Sequence, residues 1–296
     1  MSAVGGGSSR ESSGSPVEVA VAAARRLGLD VARGEVLAER SNAMVALEPV
    51  GIVARVAMDV RLAARAGHDA RGAYAREVAI ARRLAAGGAP VLAPSELVPP
   101  GPHDVGGRLV SFWPRLYGVR QARPEAAGRA LRACRAALDQ VSDLPVLWLL
   151  DEAAQLARQG PVAGALGGEA GDLAKQLDDE RAALAELPLV AVHGDAGLGN
   201  ALEVEGRVLW VDWEDAMLAP VLWDAACLAA TSLVFGETAD AHAALSGLGV
   251  DPDDPELARL VRVRVLQMVP WSALVVARGG RSRARLERRL AWLRER

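Results

Sequence analysis

The segment from Val192 to Glu214, VHGDAGLGNALEVEGRVLWVDWE, places Asp195 five residues before Asn200 and seventeen before Asp212. That order and spacing suit phosphoryl transfer: one carboxylate orients an acceptor hydroxyl, while a carboxamide and a second carboxylate hold magnesium. Asp195 is the candidate catalytic group, and Asn200 and Asp212 are the candidate metal ligands. The apolar run Leu189–Val192 reads as a buried strand that runs into the polar triplet His193-Gly194-Asp195. Leu209–Val211 reads as a second buried strand delivering Asp212 at its end. An HGD triplet alone is a weak signal, because such a turn also caps helices and reverses strands. The weight lies in the ordered set on a strand–loop–strand frame. None of the other His among the four in the chain forms a ligand-spaced pair with His193, so a metal hydrolase is the poorer reading.

These residues resemble the aminoglycoside phosphotransferase and choline kinase superfamily. Its pattern is HGD, four residues, Asn, then a short hairpin ending in Asp-Trp-Glu or similar, and here it reads His193-Gly194-Asp195, Asn200 and Asp212-Trp213-Glu214. The resemblance implies an α+β, two-lobed protein-kinase-like fold with a small antiparallel-sheet N-lobe and a larger, mostly helical C-lobe. It also implies an O-phosphotransferase that takes ATP (with GTP left open) and Mg2+. In such proteins His193 ties the loop to the backbone near the metal-binding Asp. Asp224, opening a helix, braces the catalytic loop; its plain alternative is a negative charge favoured at a helix N-terminus. Relatives often carry a second His two residues after the catalytic Asp, and here that position is Gly197.

The upstream sequence supplies candidates for a nucleotide-binding lobe. Val31–Leu47 reads as two strands around the turn Ser41-Asn42, and Gly51–Met58 as a third strand carrying Arg55. Asp69–Ala86 reads as an amphipathic helix carrying Glu77. In kinases a basic residue on the third strand contacts the phosphates and pairs with a Glu on the next helix, and the resemblance assigns those roles to Arg55 and Glu77. The bland alternatives are a solvent-facing strand charge and a solvated helix face. Lys175 is the only Lys among 34 basic residues, so Arg is the local default, and its planar fork suits phosphate oxygens. The segment Glu39–Met44 has no Gly to cradle phosphates; Ser41 or Asn42 would donate side-chain hydrogen bonds, unless this is an ordinary hairpin turn. Gly107–Phe112 reads as the last strand of the lobe, broken at Trp113-Pro114. Trp113 and the backbone of Phe112–Leu116 are the expected contacts of the base.

The chain of 296 residues is long enough for two lobes, expected over 17–113 and 114–296 behind a disordered Gly- and Ser-rich tail over 1–16. A net charge of −3 implies no basic face for nucleic acid. Cys134 and Cys227 lack metal-ligand spacing and read as buried free thiols, which suits a cytoplasmic location. The expected assembly is a monomer or homodimer. No run approaches the roughly 20 uninterrupted apolar residues of a membrane helix, and no targeting segment is visible. Pro99–Gly107 reads as a surface loop. Helices are expected over Pro124–Val141, Leu147–Gln159, Glu169–Leu187, Leu222–Val234, Asp253–Val276 and Arg281–Arg296. Glu214, Asp215 and Asp224 suggest an acidic rim for a polyamine sugar such as an aminoglycoside. Trp210, Trp213, Trp223 and Trp271 would instead wall in a quaternary ammonium such as choline, and the apolar C-terminal helices would suit a macrolide. A nucleotide-binding regulatory pseudokinase is the non-catalytic alternative.

Overall fold

Ser15 and Glu18 flank Pro16 and Val17 in the pattern that starts a helix. In the computed structural model, which describes residues 14–39, 42–58, 70–280 and 283–296, they start helix α1 (Pro16–Arg26). Ser15 N donates to the Glu18 carboxylate at 2.7 Å and Glu18 N to Ser15 Oγ at 3.2 Å. Ser15 and Pro16, expected within the tail, thus belong to the cap and first turn of α1, and residues 1–13 lie outside the described residues.

The chain divides into two compact units, Met1–Val78 with Ala93–Arg115, and Ala79–Leu92 with Leu116–Arg296. This differs from the contiguous division expected at 113/114. The segment Ala79–Leu92 goes with the larger unit because Trp210 N donates to Pro90 O at 2.9 Å and Leu92 N to Trp210 O at 3.1 Å.

The smaller unit is built on β1 (Arg33–Glu39), β2 (Asn42–Glu48), β3 (Ile52–Ala57), β4 (His103–Val105) and β5 (Arg108–Pro114), antiparallel throughout in the order β1-β2-β3-β5-β4. All six residues of the central strand β3 are buried, the near-continuous apolar run of a strand covered on both sides. Helix α1 packs Val19, Ala20, Ala23 and Ala24 into a core with Val45, Leu47, Ile52, Ala54, Val56 and Phe112. β4 corrects the reading of Pro99–Gly107 as loop alone. Asp104 Oδ1 accepts from Gly107 N at 3.0 Å, and Gly106 and Gly107 take positive φ of 62° and 82°, closing a tight hairpin that recruits His103–Val105 to the sheet. Helix α2 (Ala70–Ala86) follows β3 in the chain and crosses the boundary between the units at Val78/Ala79.

The larger unit contains β6 (Arg120–Gln121), α3 (Pro124–Leu138), α4 (Trp148–Ala157), α5 (Gly160–Leu166), α6 (Ala170–Ala185), β7 (Leu189–Val192), β8 (Ala201–Val204), β9 (Arg207–Trp210), β10 (Met217–Pro220), α7 (Trp223–Phe235), α8 (Thr238–Leu248), α9 (Pro255–Ala277) and α10 (Arg283–Arg294). β8 and β9 form a hairpin whose two turn residues, Glu205 and Gly206, both have positive φ (50° and 76°), the turn whose twist matches its strands. β7 pairs with β10. Helices α3 and α8 meet backbone to backbone: a Cβ on Gly128 would lie 2.0 Å from Ala244 O, and one on Gly247 2.0 Å from Glu125 O. Helix α9, capped by Asp254 through the N–H groups of Glu256 and Leu257, packs against α4, α5, α7 and α10. Among the described residues it alone is long and apolar enough to cross a membrane by length and composition, yet 67% of that window is buried inside the protein. It is a core helix.

Candidate active site

Strand β7 delivers His193, whose position is fixed from several sides. Its Nε2 lies 3.0 Å from Val211 O, and its ring sits 5.3 Å from that of Trp210 and 4.3 Å from that of Trp213. Burial pushes its pKa down, against the pull of Asp224 and Asp195. A neutral ring donating from Nε2 to the carbonyl fits this setting, and Nδ1 has no hydrogen-bond partner among the described residues. The next residue must be Gly. Gly194 has φ of 87°, and a Cβ there would lie 2.0 Å from Asp215 O.

Helix α7 grips the same loop with its first turn and a half. Asp224 Oδ2 accepts from His193 N at 2.9 Å and Oδ1 from Gly194 N at 3.1 Å. Trp223 Nε1 and Cys227 Sγ both donate to Gly194 O, at 2.9 and 3.3 Å. Burial pushes the Asp224 carboxyl up, while His193 and the two N–H donors pull it down. Asp224 is thus committed to the loop and forms no part of an acidic rim. Both cysteines are free and buried. Burial pushes the two thiols up, that of Cys134 to about 12.

Asp195 follows with its side chain about a third exposed. Asn200 Nδ2 donates to Asp195 O at 2.9 Å and lies 3.5 Å from Asp195 Oδ2. Val211 N donates to Asn200 O at 3.0 Å, so the hairpin brings Asn200 beside the strand end that carries Asp212. Asp212 takes the left-handed conformation, φ 68° and ψ 57°, which Asp tolerates better than most residues. Because the Asn200 amide nitrogen faces Asp195 O, its oxygen is turned the other way. An amide oxygen and a carboxylate are hard oxygen ligands of the kind magnesium takes, with phosphates and water completing its shell. The residues fit the ion in this partial sense: among the described residues no group of three His, Cys, Asp or Glu holds a metal alone.

Sequence reasoning misses two residues here. Arg264, from the middle of α9, is ion-paired through Nη2 with Asp195 Oδ1, and its Nη1 donates to Gln267 Oε1 at 2.5 Å. Glu152, from α4, is buried, and its pKa is pushed up to about 8 by burial and by Glu214, against a hydrogen bond with Trp271. The one local signal is that Arg264 stands between Val263 and Val265; Glu152, next to Asp151, carries none. Glu214 and Asp215 lie in the short turn Trp213–Asp215. The Asp215 carboxyl is pushed well up, by burial first and then by Glu214, Asp195, Asp212 and Glu152. Trp210, Trp213 and Trp223 are core residues, 0%, 1% and 0% exposed, which removes three of the four Trp from the expected aromatic wall.

In the smaller unit Arg55 and Glu77 are brought together as a buried ion pair. The Arg55 guanidinium lies over the Tyr74 ring, 4.7 Å from its centroid, and the Tyr74 hydroxyl donates to Asn42 Oδ1. Tyr74 is a further residue that the sequence pattern does not single out, although it stands one helical turn before Glu77 on the same face. Ser41 lies outside the described residues. Trp113 is buried within β5, its indole N–H donating to Ser111 Oγ at 2.9 Å.

A carboxylate on an HGD loop, followed by an Asn and an Asp on one hairpin, is the arrangement of a kinase-like phosphotransfer unit. The profile of the phosphotransferase enzyme family matches residues 36–260, and the chain belongs to that family. No curated protein matches it by sequence. Among solved structures it is similar to a choline/ethanolamine kinase family protein from Mesorhizobium loti, with 19% identity, a TM-score of 0.61 and 93% of each chain covered. It is also similar to the choline kinase LicA from Streptococcus pneumoniae, with 13% identity, a TM-score of 0.64, and 93% of this chain and 99% of that one covered. A third is a thermostable mutant of an aminoglycoside phosphotransferase in a ternary complex with ADP and hygromycin B, with 18% identity, a TM-score of 0.58, and 94% and 98% covered. At these identities the likeness is one of fold.

Proposed function

We propose that the protein transfers the γ-phosphate of ATP to a hydroxyl of a small molecule, an aminoglycoside or related antibiotic being the preferred acceptor class. The observation that carries this reading is the placement of Asp195, Asn200 and Asp212 on one loop and hairpin, with the HGD backbone tied down by Asp224. Asp195 orients the acceptor hydroxyl and receives its proton. Asn200 and Asp212 would hold magnesium, which supplies neutralisation of phosphate charge. Arg55, held by Glu77, would contact the nucleotide phosphates. Positioning and electrostatics supply most of the catalysis in such transfers. The solved relative holding ADP supports an adenine nucleotide as donor.

Glu152, Glu214 and Asp215 together favour a cationic acceptor: burial first, and their mutual repulsion second, push Glu152 and Asp215 up, and a cation placed there would offset the repulsion. An amino alcohol such as choline is the second reading, supported by the choline kinase relatives. Incubation with Mg–ATP and a panel of aminoglycosides, macrolides and amino alcohols, read by mass, tests both. One compound should gain a single phosphoryl group, and Asp195→Ala should nearly abolish that gain while nucleotide binding persists. Full activity in Asp195→Ala would exclude Asp195 as the catalytic group.

A further inference from the structure

Helix α9 is a core helix, and Arg264 sits in it 7% exposed. A guanidinium is costly to bury unless its donors are matched. Arg264 donates from Nη1 to Gln267 and from Nη2 to Asp195, while its Nε has no partner among the described residues. Burial disfavours its charge, and the Asp195 carboxylate paired with it favours that charge. The loop's own grip on Asp195 is through the main chain: Asn200 Nδ2 bonds Asp195 O at 2.9 Å and only approaches Oδ2, at 3.5 Å. The carboxylate itself is held at Oδ1 by Arg264. Gln267 stands one helical turn further on and fixes the guanidinium from the same face. Arg264 also lies beyond the matched family segment 36–260.

We infer that Arg264 is a positioning residue for phosphoryl transfer: braced by Gln267, it clamps Asp195 Oδ1 so that Oδ2 is presented to the acceptor hydroxyl. This rests on the phosphotransferase reading with Asp195 as the catalytic group. A misplacement of a reacting group by about 1 Å costs on the order of 100-fold in rate, and that is the loss in kcat expected for Arg264→Met, with the KM for ATP held within about twofold. Arg264→Lys keeps the charge without the fork and should recover part of the loss.

The test is a double-mutant cycle on Mg–ATP turnover with the acceptor found in the panel, using Arg264→Met, Asp195→Asn and the pair, beside crystal structures of wild type and Arg264→Met with Mg–AMP-PNP. If Arg264 acts through Asp195, adding Arg264→Met to Asp195→Asn changes kcat by less than roughly twofold, and the Asp195 carboxylate turns away in the Arg264→Met crystal while the backbone of 193–200 stays. Equal losses in both backgrounds, or an unmoved carboxylate, would overturn the inference. Wild type without turnover on any acceptor overturns the phosphotransferase reading instead, and the crystals still decide whether Arg264 orients Asp195.

Discussion

Glu152 carries its proton to about pH 8 because burial and Glu214 disfavour its charged form. In the unfolded chain it ionises near the ordinary 4.5, so between those values the native state binds the extra proton. Stability contributed at this site therefore falls as pH rises from about 4.5 to about 8, and is level outside that window. Glu152→Gln should raise the melting temperature relative to the parent at pH 8 and leave the difference smallest near pH 4.5; a gain independent of pH would contradict the assignment. Asp224 makes a different contribution. It accepts from two loop N–H groups, and Asp224→Ala would leave both without an acceptor, at about 1–3 kcal/mol each. Asp224→Asn retains one acceptor and should lose less. Urea unfolding of the two variants gives the order.

At the scale of elements, α3 and α8 touch through glycines. Gly128→Ala gains helix propensity of about 1 kcal/mol, but its methyl meets the backbone carbonyl of Ala244. Overpacking against an immovable neighbour costs about 1–3 kcal/mol or more, so the variant should be destabilised. Gly164, in α5, has no described atom within 4 Å of where a Cβ would stand, and Gly164→Ala should stabilise by about 0.5–1 kcal/mol. Opposite signs in thermal melts are the expected result. Elements also differ in how far the sequence alone announces them. The HGD loop, the Asn200–Asp212 hairpin and the Arg55–Glu77 pair are legible because each lies within or between strongly patterned neighbouring segments. Arg264 and Glu152 are not, since only tertiary packing brings distant helices to Asp195 and Glu214. Helix α1 carries a local signal in Ser15 and Glu18, but the Gly- and Ser-rich composition just before it masks that start. β4 has only three residues and depends on its glycine turn and on pairing with β5.

For the whole molecule the proposed nucleotide and metal make a single prediction. A ligand that binds only the folded state stabilises it by mass action, about 2.7 kcal/mol at a hundredfold excess over Kd. Mg–ATP should therefore raise the melting temperature in a concentration-dependent way, and EDTA should remove most of the shift; an EDTA-insensitive shift would argue against metal held by Asn200 and Asp212. The path of the chain has a consequence for ancestry. It passes between the units at Val78/Ala79, Leu92/Ala93 and Arg115/Leu116, and Trp210 holds Pro90 and Leu92 to the larger unit. A single recombination breakpoint thus cannot swap one unit for a foreign one intact. Exchange of one unit intact takes a breakpoint at each of the three passages.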